Sequence, residues 1–233
     1  MHNANRPDRA VAGILLTGGA SRRMGFDKAT LLIDGIGCAA RVAAVLQEVA
    51  AEVIEVGPGI TGFRSIQETP LSAGPLAALS AGAEALRRAG SRAPALVLAC
   101  DLPFVTAKVL EVLARWPGNR SVVPVIDGWP QPLCARWSPE DLIAAANLVR
   151  RGARSMRALL ETATVELIDE SRWPGRFDQQ AFTDIDTPAD LQRLGLLGRD
   201  RAPANGSPRA ERSRVPRPPK PRSEGLGTDG FLP

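Results

Sequence analysis

The chain has 233 residues, of which 44% are hydrophobic and 23% are charged, and its formal net charge at pH 7 is +4. This composition is typical of a soluble globular protein with one sizeable domain, and no apolar run approaches the roughly 18 residues of a membrane span. The only histidine is His2 and the three cysteines have no metal-ligand spacing, which argues against a catalytic triad, a histidine-ligated zinc site and a disulfide framework.

The excess positive charge lies at the C-terminus. Residues 199–233 hold eight Lys or Arg and four Asp or Glu, which leaves 21 of each in residues 1–198. This proline-rich segment cannot bury enough apolar surface to offset its ordering entropy, so we predict a disordered tail. The neutral body argues against nucleic-acid binding, although a tail that meets nucleic acid or an acidic partner stays an alternative. We expect a flexible N-terminus over 1–10 and one domain over 11–198.

The start of the chain gives an expectation about location. It carries charge but no apolar h-region, so we expect neither a signal peptide nor a membrane partner. A cytoplasmic protein is the resulting prediction.

Buried strands alternate with amphipathic helices through the first half of the chain. Continuous apolar runs predict strands, and apolar side chains at helical spacing predict helices. In chain order these are strand 11–17, helix 40–50, strand 52–56, helix 74–90, strand 94–100 and helix 106–116. Pro75 near a first turn and Thr106 as a cap support two of the helices. The alternation predicts an α/β fold: a three-layer α/β/α, Rossmann-like domain with a mainly parallel sheet.

The second half has a less regular pattern. Strands are predicted at 121–127, 131–137 and 165–169, and helices at 138–151 and 187–197. Pro124 inside the first of these strands indicates an edge or bulged strand. Ser138 and Asp141 have the spacing of a capping box.

Two glycines and three basic residues directly follow the first strand, in GILLTGGASRRMGFDK (13–28). Glycines at a strand end let several backbone N–H groups approach one anion, and Arg22, Arg23 and Lys28 add positive charge. Open α/β sheets bind ligands at this carboxyl edge, so a nucleoside triphosphate is the predicted ligand. The stretch lacks the patterns of a P-loop and of a dinucleotide fold. A surface turn with solvated arginines is the alternative.

An aspartate follows the strand LVLAC at the same predicted edge. Mg²⁺ binds through one or two carboxylates plus phosphate oxygens, so Asp101 is the predicted magnesium ligand. Asp184 and Asp186 in DIDTP are candidates for a second acidic group. The alternatives are a turn cap for Asp101 and an ordinary helix lead-in for the other two.

Five stretches resemble motifs of the molybdenum cofactor guanylyltransferases, which transfer GMP from GTP to molybdopterin. LTGGASRRMGFDKATL is similar to the signature LAGGxSxRMGxDKxxL of that family. The other four follow in the family's order and are ETPLSAGPLAAL, ACDLPF, QPLCARW and DIDTPADL.

The resemblance implies a Mg²⁺-dependent nucleotidyltransferase with GTP and molybdopterin as substrates and with other molybdenum cofactor biosynthesis proteins as partners. It implies catalytic roles for Arg23, Lys28 and Asp101, the last as the metal ligand. The nucleotide-binding residues that it implies are Leu16, Thr17, Gly18, Gly19, Lys28, Glu68, Gly74 and Asp101.

The chain departs from the family pattern at several of these positions. Thr17 stands where Ala is usual, Glu68 where Asp is usual, and Ala78 where the family has a second glycine. Asp184 and Asp186 replace the family's final asparagines.

Other functions on the same fold stay open as alternatives. They are cytidylyl transfer to molybdopterin, guanylyl transfer to another phosphorylated acceptor, and a non-catalytic nucleotide-binding module. The pair Gly18-Gly19 favours guanine, because related cytidylyltransferases tend toward Ala-Gly there.

Overall fold

The structure is a computed structural model that describes residues 11–18, 31–185, 190 and 193–195. The predicted tail and most of the predicted helix 187–197 lie outside the described residues, so the domain boundaries stay predictions. Five candidate site residues also lie outside them: Gly19, Arg22, Arg23, Lys28 and Asp186.

Strands and helices alternate as the sequence predicts, with a few additions. In chain order the elements are β1 (Ala12–Leu16), β2 (Leu32–Ile33), β3 (Ile36–Gly37), α1 (Cys38–Val49), β4 (Val53–Val56), β5 (Arg64–Ile66), α2 (Pro75–Arg88), β6 (Ala95–Ala99), α3 (Ala107–Arg115), β7 (Ser121–Ile126), β8 (Trp129–Pro130), β9 (Cys134–Trp137), α4 (Pro139–Arg150), α5 (Met156–Thr162) and β10 (Val165–Ile168). Short 3-10 helices span Glu170–Arg172 and Gln179–Phe182. The sequence pattern did not predict β2, β3, β5, β8, α5 or the two 3-10 helices.

The main sheet is mixed but mostly parallel. Its strand order is β10-β7-β9-β6-β1-β4-β5, and β8 pairs with β7. Within this path only β9 is antiparallel to its neighbours, β6 and β7. The predicted mainly parallel sheet is therefore confirmed.

Helices cover both faces of this sheet, which confirms the three-layer fold. One core cluster joins the sheet to α1 and α3, and a second joins it to α2, α4 and α5. Adjacent residues of β1 point into different clusters, Leu15 into the first and Ile14 into the second, and both are fully buried. Each such buried side chain contributes about 1.5–3 kcal/mol to folding. No helix among the described residues has the length and apolar character to cross a bilayer.

Two local predictions need correction. The strand that contains Pro124 was predicted to be an edge or a bulged strand, and the edge alternative is wrong, because β7 pairs with β10 as well as with β9 and β8. Pro124 lies where the pairing changes from β9 to β8, so the missing N–H falls at an interruption of the ladder.

The capping box before α4 is only half formed. The Ser138 hydroxyl accepts from the N–H of Asp141, as predicted, at 3.2 Å. The Ser138 N–H donates instead to the Ser121 hydroxyl at 2.8 Å, and that hydroxyl donates to the Asp141 carboxylate at 2.5 Å. A serine of β7 therefore stands between the two halves of the expected box.

A buried arginine ties β9 to the end of α3. The Arg136 guanidinium donates to four carbonyl oxygens at 2.8–3.2 Å, those of Ala114, Trp116, Gly118 and Arg120. Burial lowers the pKa of Arg136, and nearby Glu166 opposes this effect. Because Arg136 pairs with Leu96 near the start of β6, it lies at the amino end of that strand and serves the fold.

Candidate nucleotide-binding site

Four neighbouring parallel strands end at one level of the sheet. Leu16 of β1 lies opposite Ala99 of β6 and opposite Val56 of β4, and Val56 lies opposite Ile66 of β5. Each strand is followed two residues later by a residue of the same rim, namely Asp101, Gly18, Pro58 or Glu68. Parallel pairing thus brings three candidate site residues to one edge.

Hydrogen bonds continue past the strand ends and fix this rim. The Cys100 N–H donates to the Leu16 carbonyl at 3.0 Å, and the Gly57 N–H donates to the Ile66 carbonyl at 2.8 Å. The N–H groups of Thr17 and Gly18 both donate to the Val56 carbonyl, at 3.0 and 3.1 Å. These two N–H groups already have an acceptor, so they do not supply the anion-binding N–H groups expected at this point. We call Thr17 and Gly18, the described residues that directly follow β1, the glycine turn.

The end of β4 packs directly against the glycine turn. Gly57 has φ of +154°, and a Cβ there would lie 2.2 Å from Thr17 Oγ1 and 2.6 Å from the Gly18 nitrogen. Only glycine allows this approach of the two backbones. Gly18 itself is exposed, so the rim presents backbone to a ligand at this point.

Glu68 brings a carboxylate to the side of the turn. Its side chain is 7% exposed, and one oxygen accepts from the Ser72 N–H at 2.9 Å. Its other oxygen lies 3.9 Å from the position that a Cβ of Gly18 would occupy. A largely buried carboxylate therefore faces the residue that the resemblance assigns to the nucleotide.

Gly74 is required by the backbone at the start of α2. Its φ is +102°, and a Cβ there would lie 2.9 Å from the Arg154 carbonyl oxygen. The first amides of α2 are also occupied, because Leu76 N–H donates to that same oxygen and Ala77 N–H donates to the Gly74 carbonyl. Gly74 has a structural reason to be glycine, and its nucleotide-binding role stays a prediction.

Asp101 lies partly exposed at the rim. Its carbonyl accepts from the Ile185 N–H at 3.0 Å, which brings the exposed Asp184 into the same region. The described residues contain no cluster of three or more acidic, His or Cys side chains that could hold a metal. A single accessible carboxylate still fits Mg²⁺, because phosphate oxygens supply much of its coordination.

The thiol of Cys38 lies near enough to Asp101 to be affected by its charge, but it is not a reactive group. Burial raises the pKa of Cys38 to about 11; Arg41 opposes this effect and the charge of Asp101 adds to it. A thiol of that pKa stays protonated near neutral pH and is a poor nucleophile or metal ligand.

A second buried carboxylate, that of Glu55 in β4, was not predicted from the sequence. It is fully buried and accepts hydrogen bonds from the Thr17 hydroxyl and from the turn that follows β4. Burial alone would raise the pKa of Glu55, but the hydroxyls of Thr17 and Thr61 and two backbone N–H groups outweigh it, so its pKa is lowered. The available signal was an acidic residue inside an apolar strand that ends directly before Gly57-Pro58-Gly59.

Solved structures with this fold include nucleotidyltransferases. The structure titled molybdopterin-guanine dinucleotide biosynthesis protein A, from Archaeoglobus fulgidus, is 24% identical with a TM-score of 0.65, over 78% of this chain and 96% of that one. A 2-C-methyl-D-erythritol 4-phosphate cytidylyltransferase from Thermus thermophilus is 18% identical with a TM-score of 0.56, over 80% and 97%. At these identities the likeness establishes the fold, which is that of the α/β nucleotidyltransferases.

Sequence relatives narrow this class to one family. The family model described as the MobA-like NTP transferase domain matches residues 13–167. A probable molybdenum cofactor guanylyltransferase of Opitutus terrae is 36% identical over 70% of this chain and 88% of its own length. Its counterpart in Pelotomaculum thermopropionicum is 30% identical over 80% and 93%. The chain belongs to the MobA-like NTP transferase family, and the prediction of a nucleotidyltransferase is confirmed.

Proposed function

We propose that the chain transfers GMP from GTP to molybdopterin in a Mg²⁺-dependent reaction. The observation that carries the proposal is the common rim of Gly18, Glu68 and Asp101 at the ends of adjacent parallel strands. The relatives named probable molybdenum cofactor guanylyltransferases support both the nucleotide and the acceptor. Other molybdenum cofactor biosynthesis proteins are the expected partners.

The proposed reaction is a displacement at the α-phosphorus of GTP. An oxygen of the terminal phosphate of molybdopterin forms a bond to that phosphorus. The bond from the α-phosphorus to the oxygen that bridges it to the β-phosphorus breaks, and this oxygen leaves with pyrophosphate. A phosphate monoester is already ionised near neutral pH, so the attack needs no histidine base. The barrier lies in bringing two polyanions together, and catalysis consists of positioning and charge neutralisation.

Each residue of the rim has a proposed part in this step. The carboxylate of Asp101 would hold Mg²⁺, which neutralises phosphate charge when bound. Arg23 and Lys28, which follow the glycine turn in the sequence, would hold the triphosphate and stabilise pyrophosphate. Leu16, Thr17, Gly18 and Gly19 would lie along the nucleotide.

The carboxylate of Glu68 supports guanine over cytosine. Guanine offers two adjacent donors, N1–H and the N2 amino group, which one carboxylate can accept together. Cytosine offers an acceptor at the corresponding N3, which would face the carboxylate without a proton. A buried polar group left without a partner in this way weakens the binding of CTP, so GTP should bind in preference to CTP.

The test is incubation of the purified chain with each radiolabelled NTP, Mg²⁺ and molybdopterin, followed by measurement of pyrophosphate and of labelled acceptor. Label from GTP should become attached, and Asp101→Asn should lower kcat/KM by about 10²–10³-fold. Glu111→Gln is the matched control, because it removes one carboxylate from the exposed face of α3 and should leave turnover unchanged. Transfer from CTP instead, or near-normal turnover of Asp101→Asn, would contradict the proposal.

A further inference from the structure

The buried carboxylate of Glu55 joins the glycine turn to the turn that follows β4. Its Oε1 accepts from the Thr17 hydroxyl at 2.6 Å and from the N–H groups of Gly59 and Ile60, both at 2.9 Å. Its Oε2 accepts from the N–H and the hydroxyl of Thr61, at 3.0 and 2.5 Å. Five donors from two segments therefore converge on one side chain.

This arrangement exceeds what the sheet itself needs. All five donors are neutral, and burying an ionised carboxylate costs several kcal/mol unless hydrogen bonds compensate for the lost water. An apolar side chain would fill a strand position without that cost, as Ile54 and Val56 do on either side of Glu55. The contacts of Glu55 hold residues that lie beyond the ends of β1 and β4.

Of those residues, Thr17 belongs to the candidate nucleotide site. Thr17 precedes Gly18 on the rim, and it carries a hydroxyl where the molybdenum cofactor guanylyltransferases usually have alanine. That hydroxyl is the group that Glu55 holds. Gly57 packs against the same two residues, so the turn over 57–61 and the glycine turn can shift only together.

We propose that Glu55 is a positioning residue, which holds Thr17 and the turn over 57–61 in the geometry that binds the nucleoside triphosphate. The inference rests on the proposed function, because it assigns to Glu55 the preorganisation of that same site. Preorganised groups bind a ligand more tightly because they lose less conformational entropy on binding. The effect of Glu55 is therefore expected in nucleotide affinity, beyond any effect on stability.

Substitutions at Glu55 and Thr17 separate the hydrogen bonds from the shape of the side chains. Glu55→Gln keeps the size but turns one acceptor oxygen into an NH₂ group, which must face two or three donors in either orientation. Thr17→Val removes the hydroxyl with little change in shape, whereas Thr17→Ser retains it. We expect Glu55→Gln and Thr17→Val each to raise the Kd for GTP about tenfold, and Thr17→Ser to stay within about twofold of wild type.

The control is a buried polar contact at the other end of the sheet. Ser121→Ala breaks the link between Ser138 and Asp141 at the start of β7, and Ser121 is as fully buried as Glu55. It should lower the midpoint of thermal unfolding and leave the Kd for GTP unchanged. Calorimetric titration with GTP and Mg²⁺ at low temperature, alongside thermal unfolding of every variant, gives both readouts.

The outcomes separate this inference from the proposed function. If wild type binds GTP and the folded Glu55→Gln and Thr17→Val variants bind it equally well, Glu55 has only a structural role and the inference is wrong. If Thr17→Ser fails to restore the affinity lost in Thr17→Val, the hydroxyl is not the reason and the inference is again overturned. If wild type binds CTP but not GTP, the proposed specificity fails, and the same variants titrated with CTP test Glu55. If it binds no nucleotide, both proposals fail.

Discussion

The contact between Gly57 and the glycine turn makes a sharp prediction about Gly57→Ala. The new Cβ would lie 2.2 Å from Thr17 Oγ1 and 2.6 Å from the Gly18 nitrogen, well inside the 3.4–4 Å of ordinary contact. Neither atom can move freely, because Glu55 holds the hydroxyl and the Val56 carbonyl holds the amide. Overpacking of this kind costs about 1–3 kcal/mol, and the φ of +154° adds about 1 kcal/mol for a residue with a Cβ. The expected total is about 2–4 kcal/mol.

Gly62→Ala separates the two contributions. Gly62 lies shortly after the same turn with φ of +81°, and a Cβ there would meet no atom within 4 Å. This variant should therefore lose only the backbone term of about 1 kcal/mol. In thermal unfolding the midpoint should fall by about 2–4 °C for Gly62→Ala and by about 5–15 °C for Gly57→Ala.

Nucleotide titration completes the comparison. Displacement of Thr17 and Gly18 by the new methyl group should lower the affinity for GTP at least about tenfold in Gly57→Ala and leave it unchanged in Gly62→Ala. Equal stability of the two variants, or normal affinity in Gly57→Ala, would refute the account of a tightly packed rim.

Three further predictions concern stability. Gly82→Ala in α2 gains about 1 kcal/mol of helix propensity, but its Cβ would lie 2.6 Å from Ile14 Cγ2, so urea unfolding should show a net loss of about 1–2 kcal/mol; a gain would contradict the packing. Arg136→Met leaves four carbonyls without their donor and should cost about 2–4 kcal/mol in the same assay, whereas Arg115→Met at an exposed position should cost little. The pKa of Glu55 is lowered on folding from its ordinary 4.5, so its ionised form stabilises the protein above that pH. The stability difference between wild type and Glu55→Gln should shrink as the pH falls below about 4.5, and a constant difference would argue against an ionised Glu55.

The fold could be predicted from the sequence wherever the residues of a single strand or helix show a clear hydrophobic pattern. β1 and β6 are continuous apolar runs, fully buried on both faces, and the helices between the strands show regular spacing. β5 could not be predicted in this way, because Arg64–Ile66 has one apolar residue and becomes a strand only through its pairing with β4. The hairpin of β2 and β3 did carry a signal, Asp34-Gly35 with both φ values positive, but each strand has only two residues.

The residues of the candidate site likewise fall into those that the sequence could predict and those that depend on tertiary contacts. Gly18 and Asp101 could be brought together from sequence, because parallel strands must end at one edge. Glu55 could not be assigned, since its role depends on how the chain folds back after Gly57, and no spacing in the sequence encodes that path. Asp141 of α4 could not be assigned for the same reason. Its carboxylate accepts a hydrogen bond from the Ser121 hydroxyl of β7, which is distant in sequence, and not from within the expected capping box.

The substitution of Glu68 for the aspartate usual in the family has a structural explanation at this rim. A glutamate is one methylene longer, and an unconstrained longer side chain would lose more rotamer freedom on meeting a ligand. Here one oxygen is already held by the Ser72 N–H, in a turn where Ser72 has φ of +57°, and the other oxygen faces Gly18. Glu68 and Glu55 thus share one arrangement, in which a buried carboxylate accepts hydrogen bonds from residues that follow it closely in the chain. The rim owes its geometry to these loop contacts as much as to the register of the sheet.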